Sequence, residues 1–180
     1  MADTIDTVKE LARECGFSQT GPLDVSTVQV RTEVRDACAE NKCGAYGTRW
    51  SCPPGCGTLE ECEARLKKYK RGLILQTTGA LEDALDGESM MEISQNHRRH
   101  LEDFGDKLRE LFPEAMLLGA GACKRCEKCS YPDSPCRFPG KMLASMEAMG
   151  MVVSDVCKAN GLPYYYGPNT MTYVGCVLVE

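Results

Sequence analysis

Residues 72–78 read Gly72-Leu73-Ile74-Leu75-Gln76-Thr77-Thr78. A short, nearly continuous apolar run of this kind predicts a strand buried on both faces. After a polar stretch from Leu81 to Ser89, the segment from about Met90 to Leu111 places Ile93, His97, Leu101, Phe104, Leu108 and Leu111 at helical spacing, which predicts a long amphipathic helix. Pro113 stops it, because proline has no backbone N–H to continue the ladder. Ala115 to Leu118 then reads as a second strand. Strand, long helix, strand predicts a right-handed parallel crossover and places the chain in the α/β class.

Working outward, Thr4 to Glu14 sets Ile5, Val8, Leu11 and Ala12 on one helical face, with Thr4 as N-cap and Cys15-Gly16 as the stop. Phe17 to Leu23 predicts a short strand ended by Gly21-Pro22, and Ser26 to Ala37 a helix leading to Cys38. Thr58 with Glu61 forms a capping-box signature for a helix running to about Tyr69. Helix is expected again from Lys141 to Asn160-Gly161, broken at Gly150. Thr170 to Val179, apolar on both faces, is expected as a central strand. The whole predicts a single α/β domain over residues 1–180: a small mixed sheet packed with helices, into which two cysteine-rich loops are inserted.

A chain of 180 residues with 43% hydrophobic residues is long enough to bury a core without disulfide staples. Its net charge of −5 argues against a nucleic-acid partner, which a protein holds through clustered Lys and Arg. No apolar run approaches the roughly 20 residues that span a bilayer, so no membrane partner is expected. The polar, acidic start Met1-Ala2-Asp3-Thr4-Ile5-Asp6 is unlike a signal peptide, so the expected location is the cytoplasm. There, 12 cysteines do not pair as disulfides. Five fall between Cys38 and Cys62 and four between Cys123 and Cys136, a clustering that points to metal.

In the second cluster, Cys123-Lys124-Arg125-Cys126-Glu127-Lys128-Cys129 is followed by Cys136. Three thiols at C-x2-C-x2-C plus a remote fourth is an iron–sulfur pattern: one tight loop caps three corners of a [4Fe–4S] cubane and a distant residue closes the fourth. Zinc is the alternative, although it is more often held by two separated pairs. Gly119 and Gly121 let backbone N–H groups approach a cluster. Lys124, Arg125, Lys128 and Arg137 are placed to balance the negative charge of a four-thiolate cubane.

The first cluster offers five candidates for four corners, Cys38, Cys43, Cys52, Cys56 and Cys62. A second cubane on Cys38, Cys43, Cys52 and Cys56 is the leading reading, with Cys62 in reserve and zinc as the other metal. Pro53-Pro54 stiffens the loop, and Trp50, the only Trp, is either a shield for this site or a core aromatic.

Two stretches together resemble a known family. Cys43-Gly44-x-Tyr46-Gly47-x-x-Trp50-x-Cys52-Pro53-Pro54 is one; Cys123-x2-Cys126-x2-Cys129 with Cys136-Arg137-x-Pro139 and Ser145-Met146-Glu147-Ala148-x-Gly150 is the other. They resemble domain of unknown function 2284, a prokaryotic family described as cysteine-rich and predicted to bind metal, over most of the chain from about Arg35. The resemblance implies metal binding at Cys38, Cys43, Cys52, Cys123, Cys126, Cys129 and Cys136. It implies no reaction.

Elsewhere the signals are weaker. His97 and His100 flank Arg98-Arg99 and read as a surface basic patch rather than a metal site. Tyr164-Tyr165-Tyr166 reads as packing for the turn before the last strand; Cys157 and Cys176 read as core thiols, and Cys15 has no assigned role. Gly119-Ala120-Gly121 opens no dinucleotide-binding helix, and neither a catalytic triad nor a carboxylate pair stands out. Three functions follow from these residues. The first is an electron-transfer protein with two [4Fe–4S] clusters, serving a redox partner such as an acidic ferredoxin or flavodoxin drawn to the local cations. The second is a zinc-shaped interaction module. The third is an activator or enzyme with an under-ligated cluster.

Overall fold

The computed structural model describes residues 3–180; Met1 and Ala2, the first residues of the polar N-terminal run, lie outside the described residues. Helix α1 spans Thr4–Glu14, as its apolar face predicts, with Asp3 rather than Thr4 at the N-cap position. Gly16 takes φ +96 just beyond its end, a conformation glycine adopts without strain. Strand β1 is Gln19–Asp24 and α2 is Thr32–Ala39. Helix α3, Leu59–Leu66, starts on the anticipated box: the Thr58 hydroxyl accepts from the Glu61 N–H at 3.2 Å, and the Glu61 carboxylate accepts from the Thr58 N–H at 2.8 Å. Strand β2 is Arg71–Ala80, α4 is Gly87–Leu111, and β3 is Met116–Gly119. The remaining elements are β4 (Ala144–Ser145), α5 (Val153–Ala159) and β5 (Thr170–Leu178).

The protein is of mixed α/β type, built on a five-stranded mixed sheet in the order β1-β2-β5-β3-β4. Both β2 and β3 run antiparallel to β5, so they are parallel to one another, as a strand–helix–strand unit requires. They are not neighbours, however: β5 enters between them, pairing Cys176 with Ile74 on one side and Leu118 on the other. That makes β5 the central strand expected from its two apolar faces. Gly72 tolerates the tight approach, since a Cβ there would collide with the Val177 carbonyl.

Alternation along the strands distributes the core to both sides. Leu73, Leu75, Leu117 and Val177 face α1 and α4, meeting Val8, Leu11, Leu101, Phe104 and Leu108. Ile74, Leu118, Val174, Cys176 and Leu178 face the opposite way, onto α3, α5 and the turn around Met146–Met151. Both cysteine loops leave from elements of this architecture: the first joins α2 to α3, the second joins β3 to β4.

Two helical expectations are corrected. Ser26–Ala37 is not one helix: Val25–Thr27 makes a single 3-10 turn, Val30 bridges Met151, and α2 starts only at Thr32. The β-branched Val28 and Val30 serve better as extended chain packed on the core. Of Lys141–Gly161, only the part beyond the expected break at Gly150 is helix, as α5. Met142 is extended, β4 pairs with β3, and Gly150 turns the chain at φ +87 before α5. His97 is not on the surface. It is 1% exposed, its Nδ1 lies 2.9 Å from the Thr77 hydroxyl, and its ring stacks on Tyr173. Among the described residues no helix is long and apolar enough to cross a membrane.

Candidate metal centres

The four thiols of the second loop line one cavity: Cys123, Cys126, Cys129 and Cys136. Arg49, Arg125 and Arg137 share its wall, and no His, Asp or Glu does. The donor set is therefore purely soft sulfur, which suits an iron–sulfur cluster or zinc, and the cationic wall suits an anionic thiolate group. The loop is held at several points. Ser130 donates its hydroxyl to the Pro135 carbonyl at 2.8 Å, and Arg137 donates to the Lys128 carbonyl at 2.8 Å. Arg125 is not a free surface cation: it pairs with Asp106 at 3.4 Å and Glu102 at 3.9 Å, tying the loop to α4. Burial raises the Cys129 thiol pKa, but backbone N–H groups of Tyr131 and Trp50, the Arg49 charge and the Ser130 N–H outweigh it, so the net shift is downward.

The first loop brings three of its cysteines, Cys38, Cys43 and Cys52, to a larger cavity of about 400 Å³. Burial raises the thiol pKa of Cys38 and of Cys52, and the neighbouring Cys43 pushes both further in that direction. Cys56 does not line this cavity. It is buried in the core with Cys62, where its thiol donates to the Ala148 carbonyl at 3.7 Å; interaction between the two thiols raises the Cys56 pKa and lowers that of Cys62. Arg35 and Arg65 each place a guanidinium nitrogen 3.0 Å from the Cys62 sulfur. Arg35 also donates to the Ala148 carbonyl at 2.8 Å and the Gly57 carbonyl at 3.0 Å. Of the residues expected to share the first site, the structure gathers Cys38, Cys43 and Cys52 and sets Cys56 apart.

The two cavities are built from each other's loops. Trp50, expected at the first site or in the core, walls the second; its indole donates to the Ser134 carbonyl at 3.0 Å and packs edge-on against Tyr131. Ser51 accepts from the Cys123 N–H at 3.1 Å, and Arg49 donates to the Cys123 carbonyl at 3.1 Å. Conversely Gly121 and Lys124, read as part of the second site, line the first cavity with Ala120 and Ala122. Ser51 and Cys52 are consecutive, so the two cavities are adjacent.

Glu147 was not singled out as a functional carboxylate, yet it lines the first cavity with Ser94, Arg98 and Ser145. Solvent reaches it through the cavity, but the surrounding walls desolvate its carboxyl and raise its pKa. Its only sequence signal was its place in Ser145-Met146-Glu147-Ala148. Cys157 on α5 and Cys176 on β5 are fully buried in the core, as expected. Of the three tyrosines expected to pack the turn before the last strand, only Tyr166 is tied to the core, its hydroxyl donating to Gln76 at 2.6 Å; Tyr164 and Tyr165 are exposed. Among the described residues, no three Cys, His, Asp or Glu side chains stand close enough to clasp a single metal ion; the thiols stand around cavities.

No curated protein and no solved structure matches the chain. The family described as predicted metal-binding protein (DUF2284) matches residues 21–179, a span that takes in β2 to β5, most of β1 and both cysteine loops. With two thiol-lined cavities inside that span, the chain belongs to this family of predicted metal-binding proteins.

Proposed function

We propose that this is an iron–sulfur protein of the reducing cytoplasm that relays electrons to or from a larger redox partner. In this reading Cys123, Cys126, Cys129 and Cys136 hold a [4Fe–4S] cluster, and a second iron–sulfur group sits beside it on the first loop. The observation that carries the reading is the second cavity: four thiols, three arginines and no carboxylate or imidazole around one space. A cubane there exchanges single electrons at a potential set by charge, hydrogen bonds to sulfur and solvent contact. The chain supplies all three. Arg49, Arg125 and Arg137 offset negative charge, backbone N–H groups approach the Cys129 sulfur, and Trp50 restricts water. The two cavities are adjacent, since Cys52 lines the first while its neighbour Ser51, which accepts from the Cys123 N–H, lines the second; that proximity supports passage of electrons between two groups.

The test is composition and colour. Protein loaded anaerobically with iron and sulfide is expected to be brown, to bleach with dithionite and to hold about eight irons per chain, from two cubanes of four. Cys126→Ser is expected to lose about four of them, and Cys157→Ser none. A colourless zinc protein overturns the reading; about four irons with one zinc overturns it for the first loop alone.

The partner proposed is an acidic carrier such as a ferredoxin or flavodoxin. Lys128 is exposed beside the second cavity, and exposed charges steer encounters that salt screens over a Debye length of about 10 Å at 0.1 M. Reduction by such a carrier is expected to slow as salt rises, and Lys128→Glu to slow it at low salt with iron content intact. Stopped-flow measurement checks this, and a salt-independent rate removes the acidic partner.

A further inference from the structure

Resting on the iron–sulfur reading of the first loop, we propose that its cluster is held by three thiolates only, Cys38, Cys43 and Cys52, and that its open side faces a pocket in which Arg98 and Lys124 bind a small organic carboxylate.

Three observations carry this. The first is the missing fourth thiol. Cys56 is turned into the core against Cys62, with its sulfur 3.7 Å from the Ala148 carbonyl, on elements pinned by Arg35 and Arg65. Bringing it to the cavity would break that buried network, and Cys62 lies deeper still. The second is the space. About 400 Å³ falls within the roughly 300–1,000 Å³ of small-molecule sites, more than three thiols on a loop need for themselves.

The third is charge. Arg125, Arg109 and Lys141 all converge on Asp106. By contrast, neither Arg98 nor Lys124, which line the cavity from α4 and from the second loop, forms a salt bridge among the described residues. Two unpaired cations in one concave site select an anion. The walls between them include Ala45, Ala120 and Ala148, which suit a carbon skeleton. Glu147 on the same wall suits a ligand hydroxyl and repels anionic oxygen placed beside it, which favours a hydroxycarboxylate, whose hydroxyl stands apart from its carboxylates, over phosphate, whose charge is spread over its oxygens. A cluster held there with one position unfilled by protein would supply Lewis acidity toward such a ligand, and Arg98 and Lys124 would fix its orientation.

The experiment uses full-length protein loaded anaerobically with iron and sulfide, and citrate as the probe. Mössbauer spectra are expected to show one iron in about eight with distinct parameters, the site lacking a thiolate. Citrate is expected to change the EPR signal of one reduced cluster and leave the other unaltered. Arg98→Ala and Lys124→Ala, both on solvent-accessible side chains, are each expected to weaken that titration roughly tenfold, as loss of a charge-assisted hydrogen bond predicts, with iron content unchanged. Cys56→Ala, shown to be folded by circular dichroism, is expected to retain all its iron. Equivalent irons throughout, loss of half the iron in folded Cys56→Ala, or no response to millimolar citrate overturns the proposal. An equal response to phosphate overturns the carboxylate assignment. A protein that takes up no iron overturns the iron–sulfur reading beneath it, a separate result.

Discussion

Trp50 is fixed at both ends, its indole N–H by the Ser134 carbonyl and its ring by Tyr131. It therefore acts as a rigid cover on the second cavity. Trp50→Leu opens a path for water. Reduction makes a thiolate-bound cluster more negative, and water stabilises the more negative state, so with the proposed cluster bound in the second loop the substitution is expected to move its reduction potential positive. A redox titration of the variant against the native protein checks this; an unchanged potential shows that Trp50 does not control solvent there. The thiol spacings were legible in the sequence, because C-x2-C-x2-C constrains one loop by covalent geometry alone. The roles of Trp50, Cys56 and Gly121 were not. Each is close in sequence to one loop, and it is the packing of the other loop or the core that decides where it serves. Glu147 escaped notice because a single carboxylate has no periodic or paired signature.

Helix α3 carries Cys62 and Leu66 into the core from a start defined by the reciprocal Thr58–Glu61 bonds. Thr58→Ala removes the acceptor for the Glu61 N–H and is expected to cost about 1 kcal/mol, read as a lowered urea midpoint with an unchanged slope. No change would mean that α3 is held by Arg35 and Arg65 rather than by its cap. Caps and long amphipathic faces were readable because their causes are local: α1, α3, α4, β2 and β3 stand close to where their patterns put them. The stretches 26–37 and 141–160 were not, because extended chain was selected there by distant partners. Val30 bridges Met151, and Ala144-Ser145 pairs with Leu118-Gly119. Apolar Met and Leu residues around 142–149 imitate helical spacing, while Gly150 at φ +87 belongs to a turn.

Across the molecule, His97 couples the long helix to the sheet, lying among Thr77, His100, Phe17 and Tyr173. Burial, reinforced by the charge of His100, lowers its pKa from 6.5 to about 3. Between those values the unfolded chain binds a proton that the folded chain refuses. Stability is therefore complete above about pH 6.5 and falls as pH drops toward 3, by at most about 1.4 kcal/mol per pH unit from this group. Urea denaturation of metal-free protein at several pH values checks it, and His97→Gln is expected to flatten the slope. An equal slope in the variant assigns the acid sensitivity to other groups. The amphipathic pattern had already set His97 on the same face as Leu101 and Phe104; the adjacent arginines masked it. The strand order was beyond local reading, since only pairing across the whole sheet shows that β5 separates β2 from β3.

That placement has a consequence for synthesis. Until residues 170–178 have been made, β2 and β3 each hold an open edge where β5 will sit. The two cysteine loops, anchored to either side of the gap, have no fixed relation to one another. The emerging chain is thus a pair of unjoined halves with reactive thiols and unpaired strand edges, the condition in which polypeptides associate wrongly. Arrival of β5 closes the sheet in one step, so correct metal loading has to wait until residues 170–178 have left the ribosome.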